Sequence, residues 1–97
     1  MNRRRYLVAY DICDPKRLRK VFKTMNDFGE PLQYSVFRCD LSAKERQLLI
    51  SALDEIIHHS EDQILLAGLG PARPGPDEDF TFLGRTTPPP SRDPVVI

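Results

Sequence analysis

The sequence lacks the features that mark several common classes of protein. Its 97 residues contain no glycine-rich phosphate loop, no Ser/His/Asp catalytic set and no recognisable cofactor motif. The two cysteines, Cys13 and Cys39, form no CxxC pair, which favours reduced thiols in a cytoplasmic protein over a disulfide framework or a zinc site. Only a strand-length apolar run follows the basic start of the chain, so neither a signal peptide nor a membrane span is predicted.

The chain also lacks net charge, but its charges are unevenly distributed. Residues 1–25 carry eight basic and two acidic side chains, a net charge of +6. Residues 26–62 carry three basic and eight acidic side chains, a net charge of −5. A surface polarised in this way can hold an anion on one side while the whole molecule stays neutral. A chain of this length supports one small domain, whose stability is expected to depend on a partner.

The chain is organised around the stretch from Arg5 to Pro15. Residues 6–10 are apolar or aromatic and end on Asp11, a pattern that predicts a strand buried on both faces. Asp14 is expected to cap a helix that begins at Pro15. Asp11 is thus predicted at the carboxyl end of a central strand, where ligands tend to bind in α/β layers. The alternative is that Asp11 simply ends the strand in solvent.

A helix is predicted from Pro15 to Phe28, ending at Gly29 as its C′ residue. One face of this helix is apolar and consists of Leu18, Val21, Phe22, Met25 and Phe28. The opposite face is basic and carries Lys16, Arg19, Lys20 and Lys23, which we call the basic stripe. The stripe is a candidate surface for binding nucleic-acid phosphates, and the alternative is an ordinary solvated helix face.

Three further elements are predicted after this helix. The run from Leu32 to Cys39 alternates with period two, and predicts either one bent strand or two short strands broken near Ser35. Ser42 and Glu45 form a capping box that opens a second helix, lasting to about residue 58. Residues 63–69 are predicted to form the next strand.

The composition changes after residue 69, and seven of the nine prolines lie in the last 27 residues. The chain therefore divides into a core over residues 1–69 and a proline-rich C-terminal extension over residues 70–97. A short strand is predicted at residues 80–83. The apolar end, residues 95–97, either adds a strand to a partner's sheet or is a frayed tail.

The order strand, helix, strands, helix, strand predicts the α+β class and a ferredoxin-like βαββαβ sandwich with an additional C-terminal strand.

A set of short motifs runs along this predicted core: Tyr10-Asp-Ile12, Asp14, Leu18, Gly29, Gln33-Tyr-Ser-Val-Phe37 and Leu41. In these motifs the chain resembles the small CRISPR-associated spacer-acquisition protein that partners the integrase. The resemblance covers residues 5–69. Many members of that family carry a basic residue just before the Gln-Tyr-Ser-Val-Phe run, where this chain has Pro31-Leu32.

The resemblance implies a homodimer in which two copies of Asp11 approach each other across a two-fold axis and bind Mg²⁺, with Mn²⁺ as a substitute. Asp11 is thereby implied as both metal ligand and catalytic residue for phosphodiester hydrolysis. Ser35 and Phe37 are candidate cleft residues, by hydrogen bonding and by stacking respectively, and ordinary strand packing is the alternative for both. The implied partners are the integrase subunit and duplex DNA, with single-stranded RNA as a further substrate.

Three functional hypotheses remain open from the sequence. The first is a dimeric adaptor that binds duplex DNA and integrase subunits. The second is a working metal-dependent endonuclease, or endoribonuclease. The third, without any resemblance behind it, is a ferredoxin-like regulatory domain that senses a small ligand and has no nuclease activity.

Overall fold

The computed structural model describes residues 2–73 and 80–84 of the chain. Six elements follow one another there: β1 (Arg4–Asp11), α1 (Pro15–Phe28), β2 (Glu30–Gln33), β3 (Val36–Leu41), α2 (Ala43–Ile56) and β4 (Gln63–Pro71). The strands form one antiparallel sheet in the order β2-β3-β1-β4. The two helices pack on one face of this sheet. The predicted ferredoxin-like βαββαβ core is confirmed.

The core lies between the helices and one face of the sheet. Strand β1 is central, paired with β3 on one side and β4 on the other. Its alternate residues Val8 and Tyr10 point to the helices, where Val8 is fully buried and Tyr10 is 7% exposed. Phe37 of β3 lies directly opposite Val8 and is also fully buried. Burying a side chain of this size stabilises the fold by about 1.5–3 kcal/mol.

Helix α1 has the predicted bounds. The Asp14 carboxylate accepts a hydrogen bond from the Arg17 backbone N–H at 3.0 Å, and Pro15 occupies the first turn, where a missing N–H costs nothing. The apolar face enters the core as predicted: Val21, Phe22 and Met25 are buried, while Leu18 and Phe28 are half-buried.

Helix α2 opens with the predicted capping box. The Ser42 hydroxyl accepts the Glu45 N–H, and the Glu45 carboxylate accepts the Ser42 N–H at 2.8 Å. The helix ends at Ile56, two residues earlier than predicted. The alternating run between the helices forms two strands rather than one, because residues 34 and 35 make a tight turn and Ser35 has a φ of 61°.

The face of the sheet away from the helices is largely apolar along β1 and β4 but uncovered within the described residues, and we call it the open face. It carries Leu7 and Ala9 of β1, opposite Ala67 and Leu65 of β4, with Val36 of β3 beside Ala9 and Arg38 of β3 beside Leu7. Leu65 is 59% exposed, and the other side chains are half-buried. The prediction that β1 is buried on both faces is therefore wrong for the single chain, because the two helices cover only one face.

The predicted strand at residues 80–83 is absent from the single chain. A strand exists only when its backbone pairs with another, and no backbone hydrogen bond joins residues 80–84 to residues 2–73. Leu83 is 90% exposed there. The terminal segment 95–97 lies outside the described residues.

Gly29 ends α1 for a reason that the sequence did not indicate. Its φ of −162° is extended backbone that any residue adopts, so the left-handed conformation usual for a C′ glycine is not used. Instead the β3 backbone passes against it, and a Cβ at this position would collide with the Arg38 carbonyl oxygen and the Cys39 Sγ. Close packing between the end of α1 and β3 therefore requires glycine.

Gly29→Ala should consequently destabilise the protein by about 1–3 kcal/mol, since the strand backbone can yield little to the added methyl group. Urea unfolding followed by circular dichroism measures this loss. Gly68→Ala is the matched control, because a Cβ at Gly68 meets its nearest neighbour, the Tyr6 ring, at an ordinary 3.8 Å. Equal stability of the two variants would refute the assigned role of Gly29.

Candidate active site

Asp11 ends the central strand, as predicted. It is exposed and lies on the open face, two residues along β1 from Ala9 and opposite Gln63 of β4. Within residues 2–73 and 80–84, no hydrogen bond or ion pair engages its carboxylate. A carboxylate with both oxygens available at the rim of an apolar surface is suited to binding a cation.

The β2–β3 turn is fixed beside the end of β1. The Tyr10 N–H donates a hydrogen bond to the Ser35 carbonyl at 3.0 Å, which places the turn next to Asp11 in the sheet. Ser35 has a left-handed backbone, a conformation that costs a non-glycine residue about 1–2 kcal/mol. Such strained positions gather at functional sites, and the half-buried Ser35 remains a candidate for lining the site.

The stacking role expected for Phe37 is wrong. Its ring has no exposed surface: it lies against Tyr10 with ring centroids 6.2 Å apart and meets Phe22 edge-on at 5.8 Å. The alternation of β3 points Phe37 into the helix-covered core, so the alternative of ordinary strand packing is the right one. Tyr10 belongs to the same core, where burial raises the pKa of its hydroxyl to about 12.

A buried carboxylate, that of Asp62, contacts the turn that follows Asp11, and no pattern in the sequence predicts it. The side chain of Asp62 is fully buried and accepts hydrogen bonds from the Cys13 and His58 backbone N–H groups, at 2.9 and 2.8 Å. The Arg17 guanidinium donates to the same carboxylate from Nε at 2.7 Å and from Nη2 at 3.2 Å. Arg17 also binds Glu61 at 3.1 Å.

These donors all favour the ionised form of Asp62. The Arg17 hydrogen bonds are the main reason that the pKa of Asp62 lies far below its usual 3.8, and the two backbone N–H groups lower it further. No local pattern in the sequence predicts this ion pair, because Arg17 and its partner are 45 residues apart, and Asp62 lies just before β4.

The basic stripe faces away from the core. Lys16, Lys20 and Lys23 are exposed, whereas Arg19 is half-buried. No ion pair engages these four side chains within the described parts of the chain. The stripe therefore presents positive charge that acidic residues of the described fold do not neutralise.

Two of the N-terminal arginines are engaged in ion pairs within the fold. Arg5 is 4% exposed and makes a two-pronged ion pair with Asp40, at 2.9 and 3.1 Å, while also donating to the Arg73 carbonyl. Arg3 pairs with Glu45 at 3.0 Å. Because these pairs tie the start of β1 to β3 and α2, Arg5 is unavailable to a nucleic acid in the folded chain.

One chain by itself does not assemble a metal-binding cluster from its described residues. No three His, Cys, Asp or Glu side chains gather there into a group that could hold a metal ion. Magnesium, however, needs only one or two protein carboxylates and keeps several of its waters. A second copy of Asp11 would satisfy that requirement, so the donor set fits Mg²⁺ or Mn²⁺ provided that two chains meet at this end of the open face.

Residues 4–72 match the family described as CRISPR associated protein Cas2. The chain belongs to the Cas2 family. It is 39% identical over 92 residues to a CRISPR-associated endoribonuclease Cas2 of Geobacter sulfurreducens, a match that covers 95% of this chain and 96% of that one. An endoribonuclease Cas2 of Rhodospirillum rubrum is 49% identical over 67 residues, which cover 69% of this chain and 66% of the relative.

The fold agrees with a solved member of the family. The crystal structure of Streptococcus pyogenes Cas2 superposes with a TM-score of 0.64 at 37% identity, covering 68% of this chain and 86% of that one. Membership of the Cas2 family supports a role in CRISPR adaptation, and the two relatives are named as nucleases rather than as ligand-sensing regulators. No helix in the described residues has the length and apolar character needed to cross a membrane.

The buried Asp62 carboxylate predicts a specific pH dependence of stability. Because its pKa is lower in the folded chain, the stabilisation it provides is complete above pH 3.8 and is lost progressively as the pH falls below that value. Asp62→Asn should therefore lower Tm by several degrees at pH 7, and the difference from the wild type should shrink in acid. Thermal melts from pH 7 to pH 2 measure both effects, and a difference independent of pH would contradict this account.

Proposed function

We propose that the chain acts in CRISPR adaptation as a homodimer that binds duplex DNA and an integrase subunit. We further propose that its paired Asp11 carboxylates hold Mg²⁺ for phosphodiester hydrolysis. The observation that carries the proposal is the open face: β1 has the sequence of a strand buried on both sides, yet the described chain covers one side only. A second copy is the occupant that completes its burial.

A two-fold axis through the open face turns one Asp11 into a pair. Contacts across such an axis are self-complementary, so a residue near the axis meets its own copy. Asp11 lies at the edge of the apolar surface formed by Ala9 and Leu65, with its carboxylate free of partners in the described chain. Two carboxylates brought close together repel each other, and a shared divalent cation removes that repulsion.

The bound cation would supply Lewis-acid stabilisation of the scissile phosphate and an activated water. The protein's own part is to hold the two Asp11 carboxylates at a fixed separation. The apolar residues beside them exclude water and thereby strengthen the attraction between carboxylate and cation. Ser35, in the turn next to Asp11, would donate a hydrogen bond to a phosphate oxygen.

Duplex DNA is assigned to the basic stripe of α1. Lys16, Lys20 and Lys23 are exposed and form no ion pair with the described residues, so they can contact phosphates without breaking an existing interaction. A homodimer carries two such stripes. Phosphate contacts position a protein on DNA without reading its sequence, which suits a protein that handles spacers of any sequence.

The dimer interface is tested by a charge placed on the open face. Leu65→Lys should convert the dimer to a monomer, because it would bury an unpaired ammonium group against the partner. Leu48→Lys is the matched control, since Leu48 is 53% exposed on α2 and Leu65 is 59% exposed on the open face. Sedimentation velocity distinguishes the two species, and a Leu65→Lys dimer of wild-type affinity would rule this interface out.

The catalytic role is tested at Asp11. Asp11→Ala should reduce metal-dependent cleavage of RNA and DNA to the level seen with a chelator, while dimerisation and duplex binding stay nearly intact. Asp27→Ala, which removes an exposed acid from the far end of α1, should cleave like the wild type. Metal-dependent cleavage by the Asp11→Ala variant would refute the catalytic assignment. If the wild-type protein itself cleaves neither RNA nor DNA, only the adaptor role would remain.

The DNA-binding surface is tested by combining Lys16→Ala, Lys20→Ala and Lys23→Ala. Duplex affinity should fall equally for all sequences, and the slope of log K against log salt should become shallower by about 0.9 for each phosphate that the variant no longer binds. Lys44→Ala is the control, because Lys44 is exposed at the start of α2 and outside the stripe. Fluorescence anisotropy at several salt concentrations measures both quantities, and an unchanged slope would place the DNA elsewhere.

A further inference from the structure

The buried carboxylate of Asp62 joins three separate segments of the chain, and we call this set of contacts the Asp62 junction. Its four donors come from the turn after β1, from the first turn of α1 and from the backbone just beyond α2, namely Cys13, Arg17 and His58. Glu61 strengthens the same junction, since its backbone carbonyl accepts the Cys13 thiol at 2.9 Å and its carboxylate pairs with Arg17. These contacts fix the turn that follows Asp11.

The Asp62 junction holds the backbone on two sides of Asp11. Cys13, whose backbone N–H binds Asp62, lies two residues after Asp11 along the chain. On the other side, Asp62 directly precedes Gln63, the β4 residue that pairs with Asp11 in the sheet. One carboxylate thus controls both the backbone that leaves Asp11 and the start of the strand beside it.

We propose that Asp62 is the positioning residue for the metal site, an inference that rests on the proposed pairing of Asp11 across the dimer axis. The Asp11 side chain has no partner in the described chain that could orient it, so its position depends on its backbone. A metal ligand must be held to within about 0.5 Å of its working position. Asp62 provides that constraint by fixing the turn that follows Asp11.

Only a carboxylate serves at this position. Its two oxygens accept all four hydrogen bonds, with Cys13 on Oδ1, His58 on Oδ2 and Arg17 on both. An asparagine offers one acceptor oxygen, and its NH₂ group would face N–H donors. Asp62→Asn should therefore release one side of the junction and displace the turn without removing any atom from the metal site itself.

The experiment measures Mn²⁺ affinity of the full-length dimer by calorimetry, well below the melting temperature and without nucleic acid. Asp62→Asn should weaken Mn²⁺ binding by about tenfold, in the range usual for residues that orient metal ligands. Ser42→Ala is the control for stability, because it removes the capping box of α2 at the opposite end of β1. It should melt at a lower temperature and bind Mn²⁺ like the wild type.

A second variant keeps the test decisive if Asp62→Asn does not fold. Arg17→Lys keeps the charge but removes the two-pronged contact, and should weaken Mn²⁺ binding several-fold. Wild-type affinity in a folded Asp62→Asn or Arg17→Lys dimer would overturn the positioning role. The wild-type protein distinguishes a failure of the proposed metal site from a failure of the positioning role. If the wild type binds Mn²⁺ no better than Asp11→Asn, the proposed metal site is wrong, and the positioning role of Asp62 is refuted together with it.

Discussion

The helices cover one face of β1 and, in the described part of the chain, leave its other apolar face uncovered, and the rest of the structure depends on this mismatch. The helices cover Val8, Tyr10 and their neighbours, and this half of the sandwich is a conventional core. The other half presents Leu7, Ala9 and Leu65 without cover from the described residues. A small domain leaves much of its surface exposed, so an apolar sheet face of this kind favours association. The dimer that we propose follows from this mismatch, and the metal site follows from the dimer.

Two carboxylates at opposite ends of the open face, Asp40 and Asp11, have different roles. At one end, Arg5 and Asp40 form a largely buried ion pair that joins β1 to β3 and also holds the Arg73 backbone. The Arg5 hydrogen bonds lower the pKa of Asp40, so this pair remains charged at neutral pH. At the other end, Asp11 has no such partner among the described residues. The fold therefore pairs one carboxylate internally and leaves the other available to the external cation that we propose.

Much of the fold was predictable because its signals are local. The cap at Asp14, the capping box at Ser42 and the apolar face of α1 each lie within a few helical turns, and all three were predicted correctly. The basic stripe is local in the same sense, and its three lysines are exposed as predicted. The correct placement of Asp11 also follows from a local pattern, an apolar run that ends on a carboxylate.

The errors concern contacts between distant parts of the chain. Phe37 is a candidate for stacking from the sequence alone, yet the pairing of β3 with β1 turns its ring into the core. The Asp62 junction could not be predicted because its partners lie up to 49 residues away. The reason for Gly29 was hidden likewise, since the β3 backbone that passes against it is brought there only by folding.

A crystal structure of the protein with Mn²⁺ tests the central claim most directly, because the anomalous signal locates the ion independently of any assay. The account predicts a homodimer joined through the two open faces, with an anomalous peak on the two-fold axis between the carboxylates of Asp11 and its symmetry copy. A dimer joined through another surface, or one whose two Asp11 side chains are too far apart to share an ion, would contradict it.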